Sequence, residues 1–315
     1  MYKKIASLAA CVCLLASLGC GGDTKKAAPA SSAAFLQMTD DANRKLVLEK
    51  QPTRVVALSP SYLEMIDVVG GTVVGRPTAQ KSSVPKSMEK AAEVGHTYNI
   101  NMESVVGLKP DLVLASRNQH AKFIQLLESN KIPAAEFQVR TYAEVKGFVQ
   151  TLGKIYNTEA KAKAVCEKLD GDVKQLLDKL PKEKKKVVVL FATANSVTVA
   201  GPKTVAGCIS DMLGFDNVAA KSLKGDSDKT PYSIEALLEQ NPEIIFITSM
   251  GKAEKIEKRL QKDFESNPAW QGLAAVKNKR VYALPENMFL INPGIHYPDA
   301  VAYMAKLAYP EKFSK

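Results

Sequence analysis

Histidine and tryptophan are scarce in this chain, with three His and one Trp in 315 residues. Since the histidines stand at 96, 120 and 296, no two can form an H-E-x-x-H pair. A zinc hydrolase is therefore not expected, nor is a bare metal ion held by several converging imidazoles and carboxylates. A G-x-S-x-G elbow, a phosphate-binding loop and a G-x-G-x-x-G turn are missing too, so no enzymatic activity is expected. Cysteine is sparse: three of the five fall within the first twenty residues, leaving Cys166 and Cys208. Two lone cysteines make no metal motif, and their spacing leaves open whether they pair. Long apolar runs are also lacking, the run from Ile5 to Leu18 being too short to span a bilayer.

That run has a different use. "MYKKIASLAACVCLLASLGC" opens on Lys3 and Lys4, continues apolar, and stops at Cys20 behind Gly19. It reads as an export signal, and its ending resembles a bacterial lipoprotein signal in which Cys20 becomes the acylated first residue. The plainer alternative is a secretory signal without lipid. Residues 1–19 are thus expected to be the signal, and 20–37, small and polar in "GGDTKKAAPASSAA", a flexible tether. The net charge of +10 is spread along the chain and is densest in "PKEKKKVVVL". It lacks the basic and aromatic interleaving of nucleic-acid binders, so a solvated surface is expected and no nucleic-acid partner.

From Arg54 onward strand and helix signals alternate. "RVVAL", "TVVG", "DLVLAS" and "IPAAEF" read as strands separated by helical stretches, which argues for a parallel, helix-covered sheet. Between Thr141 and Leu180 no strand signal occurs, and Thr158 is placed to cap a long helix over 158–180. After "KEKKK" the alternation resumes with "VVVLFA" and "SVTVAG". The expected architecture is α/β: two Rossmann-like lobes with parallel-rich sheets, residues 38–157 and 181–315, bridged by one long rigid helix.

An internal repeat supports two lobes. "NMESVVGLKPDLVLAS" at 101–116 returns as "SIEALLEQNPEIIFIT" at 233–248. In each copy a Glu (Glu103, Glu235) is followed seven residues later by a Pro (Pro110, Pro242), then by an acid and an apolar run. Asn101 is positioned to cap the first copy's helix. An acid in a first helical turn also complements the helix dipole, which accounts for one Glu at a helix start but not for the matched pair.

The chain resembles, from about Met38 to Phe313, the substrate-binding proteins of ABC importers for iron complexes and cobalamin. The resemblance is carried by "MTDDANRKLVLEKQPTRVVALSPSYLEMIDVVG", "VVGRPT", "AAEVGHTYNINMESVVGLKPDLVLAS", "GFDNVAA", "SIEALLEQNPEIIFIT" and "NPAWQGLAAVKNKRVYALP" in that order. It implies a membrane-tethered monomer that binds a ligand between its lobes and delivers it to a permease dimer and its ATPase. It also implies that Glu103 and Glu235 dock against the two permease subunits, and that the stiff bridge limits closure to a small rocking.

Ligands of open α/β lobes bind beyond the carboxyl ends of strands. The loops there offer Ser59, Tyr62, Arg76, His96, Tyr98, Arg117, Asn195, Ser249, Met250, Met288, Phe289 and His296 as candidates. Aromatic, sulfur, imidazole and a few basic groups suit a large, flat, partly apolar, anionic ligand. Within the family the loops are most similar to haem-binding members, in which a Met of the first lobe and a His of the second clasp the iron. The corresponding positions here are Tyr98 and Met250, both haem-ligand types, with His96 as the alternative. A siderophore or cobalamin is the other expected cargo; no cofactor of the protein's own is expected. Arg76 would pair with a ligand carboxylate or with a neighbouring acid. His120, among polar helical residues, is expected to be solvated.

Overall fold

The apolar run at Val55 does form a buried strand, and the chain builds outward from it. The computed structural model describes residues 34–313 apart from 81–82, 219, 221–222, 224–228, 232–233 and 263–265. The expected signal, Cys20 and most of the expected tether lie outside the described residues.

The first half opens on a hairpin, β1 (Leu36–Thr39) and β2 (Lys45–Leu48), which pair antiparallel from Leu36↔Leu48 to Thr39↔Lys45. Strand β1 thus includes the last two residues, 36 and 37, of the expected tether. Next come β3 (Val55–Ala57), α1 (Ser61–Val68), β4 (Gly75–Arg76) and β5 (Ala92–Glu93). A small hairpin follows, β6 (Gly95–His96) with β7 (Asn99–Ile100), and then α2 (Met102–Gly107), β8 (Leu112–Ser116), α3 (Arg117–Ser129) and β9 (Ala134–Phe137). The five-stranded sheet has order β5-β4-β3-β8-β9, and every pairing in it is parallel.

Helices α4 (Tyr142–Tyr156) and α5 (Glu159–Leu177) then separate the sheets in sequence. Thr141 and Glu144 form a reciprocal capping box at the start of α4. The expected cap of α5 is not made: the Thr158 hydroxyl is buried without a hydrogen-bond partner. The turn is too tight for it, since Asn157 takes a left-handed conformation at φ 55° and Thr158 N–H bonds back to Gly153 O. At 19 residues α5 is about 28 Å long, shorter than the expected span of 158–180.

The second half comprises β10 (Lys186–Thr193), β11 (Val197–Ala200), α6 (Val205–Met212), β12 (Asp216–Asn217), β13 (Lys229–Pro231), α7 (Ile234–Gln240) and β14 (Ile244–Met250). It ends with α8 (Ala253–Leu260), α9 (Ala274–Lys277), β15 (Val281–Ala283), α10 (Glu286–Phe289), α11 (Tyr297–Ala308) and α12 (Pro310–Phe313). Strands β12, β14 and β15 join this sheet in parallel, while β11 and β13 are antiparallel. The antiparallel flank arises because "ATANSVTV" turns back at once as a hairpin, with Thr193 N–H bonded to Ser196 O and no crossover helix between. Cys166 and Cys208 are free thiols. Among the described residues no helix is long and apolar enough to cross a membrane.

The repeat has a structural meaning visible in both copies. Lys109 and Asn241, each just before the proline, adopt left-handed φ of 47° and 42° and end their helices. The following acid then fastens the neighbouring strand. Asp111 accepts from Arg54 N–H at 2.8 Å and Thr53 N–H at 2.7 Å; Glu243 accepts from Lys186 N–H at 3.1 Å and Lys185 Nζ at 3.2 Å. Backbone N–H groups of the same two acids donate to Arg54 O and Lys186 O. One device therefore sets the stagger of β8 on β3 and of β14 on β10. Removing such a carboxylate, by Asp111→Ala or by Glu243→Ala, is expected to cost about 1 to 3 kcal/mol. Urea unfolding should show a lower midpoint at unchanged slope; midpoints equal to the parent's would mean the acids do not anchor the strands.

Candidate ligand-binding cleft

The carboxyl ends of β3, β8, β9 and β14, together with the segment after β15, converge on a cavity of about 450 Å³. Ser59 and Ser61 follow β3, and their hydroxyls lie 3.0 Å apart. Ser116, Asn118 and Gln119 come from the join of β8 and α3, Val139 and Arg140 from the end of β9, and Glu286, Leu290, Ile291 and Asn292 from α10 and beyond. A second chamber of about 540 Å³ shares Ser61, Ile291 and Asn292 with the first.

Two exposed side chains stand out in this cleft. Tyr98 is 68% and Met250 47% exposed, and both line the first cavity. Tyr98 is carried on the loop between β6 and β7, whose tightness demands Gly95: φ is +98°, and a Cβ there would meet Asn99 O at 2.6 Å. Met250 is the last residue of β14, level with Thr193 of β10, so seven paired residues fix its position.

The remaining candidates distribute unevenly. Ser59 and Tyr62 line the first cavity, but Tyr62 is buried and its hydroxyl donates to Phe137 O at 3.0 Å. Burial pushes that phenol well above the usual tyrosine range, so it stays a neutral wall. Met288 and His296 line the second chamber, where His296 sits 3.1 Å from both Glu64 and Asp299. Phe289 is buried beside a small void with Thr248 and Arg140. Ser249 is half-buried next to Met250, while His96, Arg117 and Asn195 are exposed and line none of these cavities.

Arg76 takes the alternative the sequence left open. Its guanidinium is buried and pairs with Glu93 at 3.1 Å while donating to Met88 O and Pro77 O. The Thr78 hydroxyl and this guanidinium hold the Glu93 carboxyl below its ordinary value. Those contacts occupy it away from the cleft. The cation that does line the cavity is Arg140, which the sequence reading passed over; its position just past the carboxyl end of β9 was the available signal.

His120 is a plain correction. It is 0% exposed rather than solvated, since α3 turns it inward beneath the hairpin. Its Nδ1 accepts from Ser116 N–H at 2.9 Å, which places the proton on Nε2, and Nε2–H donates to Thr97 O at 2.8 Å. Burial holds its pKa below the ordinary 6.5; the Lys122 charge adds to this and the Thr97 bond opposes it. A depressed imidazole contributes stability that is complete above the unfolded value of 6.5 and is lost as pH falls through the folded one. Acidification below about pH 6.5 should therefore lower the thermal midpoint, and His120→Asn should blunt that dependence. An identical acid response in the variant would remove His120 as the cause.

Comparison with known proteins agrees with this geometry. A model of the periplasmic binding protein family matches residues 55–288. The high-affinity heme uptake system protein IsdE of Staphylococcus aureus is 27% identical over 261 residues, covering 82% of this chain and 88% of that protein. The crystal structure of S. aureus IsdE complexed with heme aligns with TM-score 0.70 over 81% of this chain and 98% of that one, at 27% identity. An ABC transporter substrate-binding protein from Listeria monocytogenes aligns with TM-score 0.73 at 26% identity, covering 82% of this chain and 98% of that one. With more than half its length matched by the family model, and with its cleft at the strand ends, the chain belongs to the periplasmic binding protein family, whose work is binding and transport rather than catalysis.

Proposed function

We propose that this protein is the extracytoplasmic receptor of an ABC importer, and that it captures an iron complex, haem in preference, in the cleft beyond β3, β8 and β14. The observation that carries the choice of haem is the pair Tyr98 and Met250, one from each half of the chain, both exposed to the same cavity. A phenol and a thioether are each known haem-iron ligands, and a cavity with Val139, Leu290 and Ile291 in its walls suits a flat apolar ring. Arg140 takes the role first given to Arg76, that of partner to a ligand carboxylate. A siderophore is the second reading, favoured by the hydroxyl and amide groups of Ser59, Ser61, Ser116, Asn118, Gln119 and Asn292. Cobalamin remains the third cargo of the same class.

The rest of the assembly is read with it. Residues 1–19 serve as the export signal, Cys20 as the lipid-anchored residue, and the following segment as a tether to the membrane. The halves on either side of α5, from Leu36 to Asn157 and from Pro181 onward, act as the two lobes. Glu103 and Glu235 are exposed, each in the first turn of a repeated helix, and are the contacts for the permease dimer, whose ATPase drives release. A pseudo-twofold partner requires matched charge on both halves, and the repeat provides it.

Titration of residues 21–315 with haem is expected to give a saturable Soret shift that changes character in Tyr98→Phe or Met250→Ala. No saturable shift would transfer the assignment to siderophore or cobalamin. For docking, Glu103→Lys combined with Glu235→Lys should abolish uptake in cells while cleft affinity stays within about twofold, because charged interfaces discriminate by position. Uptake at the parental rate would refute the docking role.

A further inference from the structure

We infer that His120 is the positioning residue for Tyr98: one imidazole, fixed in one tautomer, ties the loop that carries the phenol to the start of α3. This rests on the reading of Tyr98 as a ligand-facing residue. The argument starts from what holds the loop. Hairpin β6–β7 has only two paired positions, Gly95↔Ile100 and His96↔Asn99, and Tyr98 at its tip lines the cleft. Two-stranded ribbons this short have little stability of their own.

What anchors the tip comes from two consecutive residues in the first turns of α3. Gln119 Nε2 donates to the Tyr98 hydroxyl at 3.2 Å, and His120 Nε2–H donates to Thr97 O at 2.8 Å. The second bond is the more constrained one. His120 is fully buried, while Gln119 is partly open to the cavity. Its other nitrogen is used as an acceptor for Ser116 N–H, at the residue where β8 hands over to α3 and whose own side chain makes no capping bond. Ser116 belongs to the parallel ladder with β9 through Ser116↔Phe137. The base of the hairpin is held by backbone bonds, Thr78 N–H to Gly95 O and Asn101 N–H to Val94 O, and its tip is tied to the β8–α3 join through the imidazole, with one hydrogen bond on each side. The Phe123 ring lies 6.3 Å from the imidazole and adds packing on the same helix. Such an arrangement works as outer-shell residues of metal centres do, fixing the height and angle of a ligand that they do not themselves supply.

Asparagine separates positioning from folding. In His120→Asn the carboxamide oxygen can take over the acceptor role of Nδ1 toward Ser116 N–H, but the side chain is too short to reach Thr97 O. The variant is therefore expected to fold, and the apo protein should show faster amide hydrogen exchange confined to residues 95–100. Exchange of that segment equal to the parent's would overturn the inference, with or without any ligand. In the ferric haem complex the same variant should shift the visible bands and weaken binding about 10- to 100-fold, the range seen when outer-shell partners of metal ligands are removed. His120→Leu, which loses both bonds, should do so at least as strongly. If Tyr98→Phe alters the haem spectrum and both His120 variants leave it unchanged, the positioning role is wrong. If Tyr98→Phe leaves it unchanged while hairpin exchange rises in His120→Asn, the loop anchor stands and the assignment of Tyr98 to the iron fails.

Discussion

The structure depends on one continuous apolar cluster that runs from the first sheet to the second. It joins Val55, Leu112 and Phe137 of one to Val187, Val189 and Phe246 of the other, through Phe148 and Leu152 of α4 and Val301 and Met304 of α11. Each such side chain contributes about 1.5 to 3 kcal/mol on burial, so separating the halves would expose more than the fold could offset. Helix α5 shares in this by burying Ala162, Cys166, Leu169 and Val173, a stripe at helical spacing, against its neighbours. Packing on several helices thus joins the halves alongside the bridging helix α5.

On that base the repeat does the positioning. Its left-handed residue, buried proline and strand-clamping acid occur once per half, and each occurrence sets the strand whose end enters the cleft: β8, ending at Ser116, and β14, ending at Met250. Glu103 and Glu235 sit at the opposite ends of the same helix-turn-strand units. A change in either unit would therefore reach both the cleft proposed for the ligand and the surface proposed for the permease.

Much of this is legible in the sequence because it follows from periodicity and punctuation. Apolar runs bounded by Gly, Pro and Ser give the strands, the duplicated Glu-to-Pro spacing gives the two halves, and the rule about carboxyl ends gives the loops. His120 is not legible, because the bonds that bury it go to backbone atoms of Ser116 and Thr97, and backbone partners leave no mark on residue type. For Arg76 the sequence leaves two partners open, a ligand carboxylate or a neighbouring acid; in the structure Glu93, seventeen residues on, is the one it meets. The antiparallel flank of the second sheet was expected as ordinary alternation, yet the short polar turn at Thr193–Ser196 leaves no room for a crossover helix.

The cleft itself shows how a binding protein departs from the rules that govern its core. A phenol and a thioether, 68% and 47% exposed, face one cavity from the two halves of the chain. Here their placement is held by constrained backbone, a glycine at φ +98° on one side and a seven-residue parallel ladder on the other. Nothing in folding requires that combination of rigid support and open side chain; a flexible loop would satisfy the core equally well. Preorganised exposure makes sense when the missing contacts come from a ligand, because groups already ordered lose little conformational entropy when it arrives. The same logic explains why the imidazole beneath the hairpin is wholly buried and doubly bonded: the side chains proposed to meet the ligand stay open to the cleft, and the ring that holds their loop in place has both nitrogens satisfied.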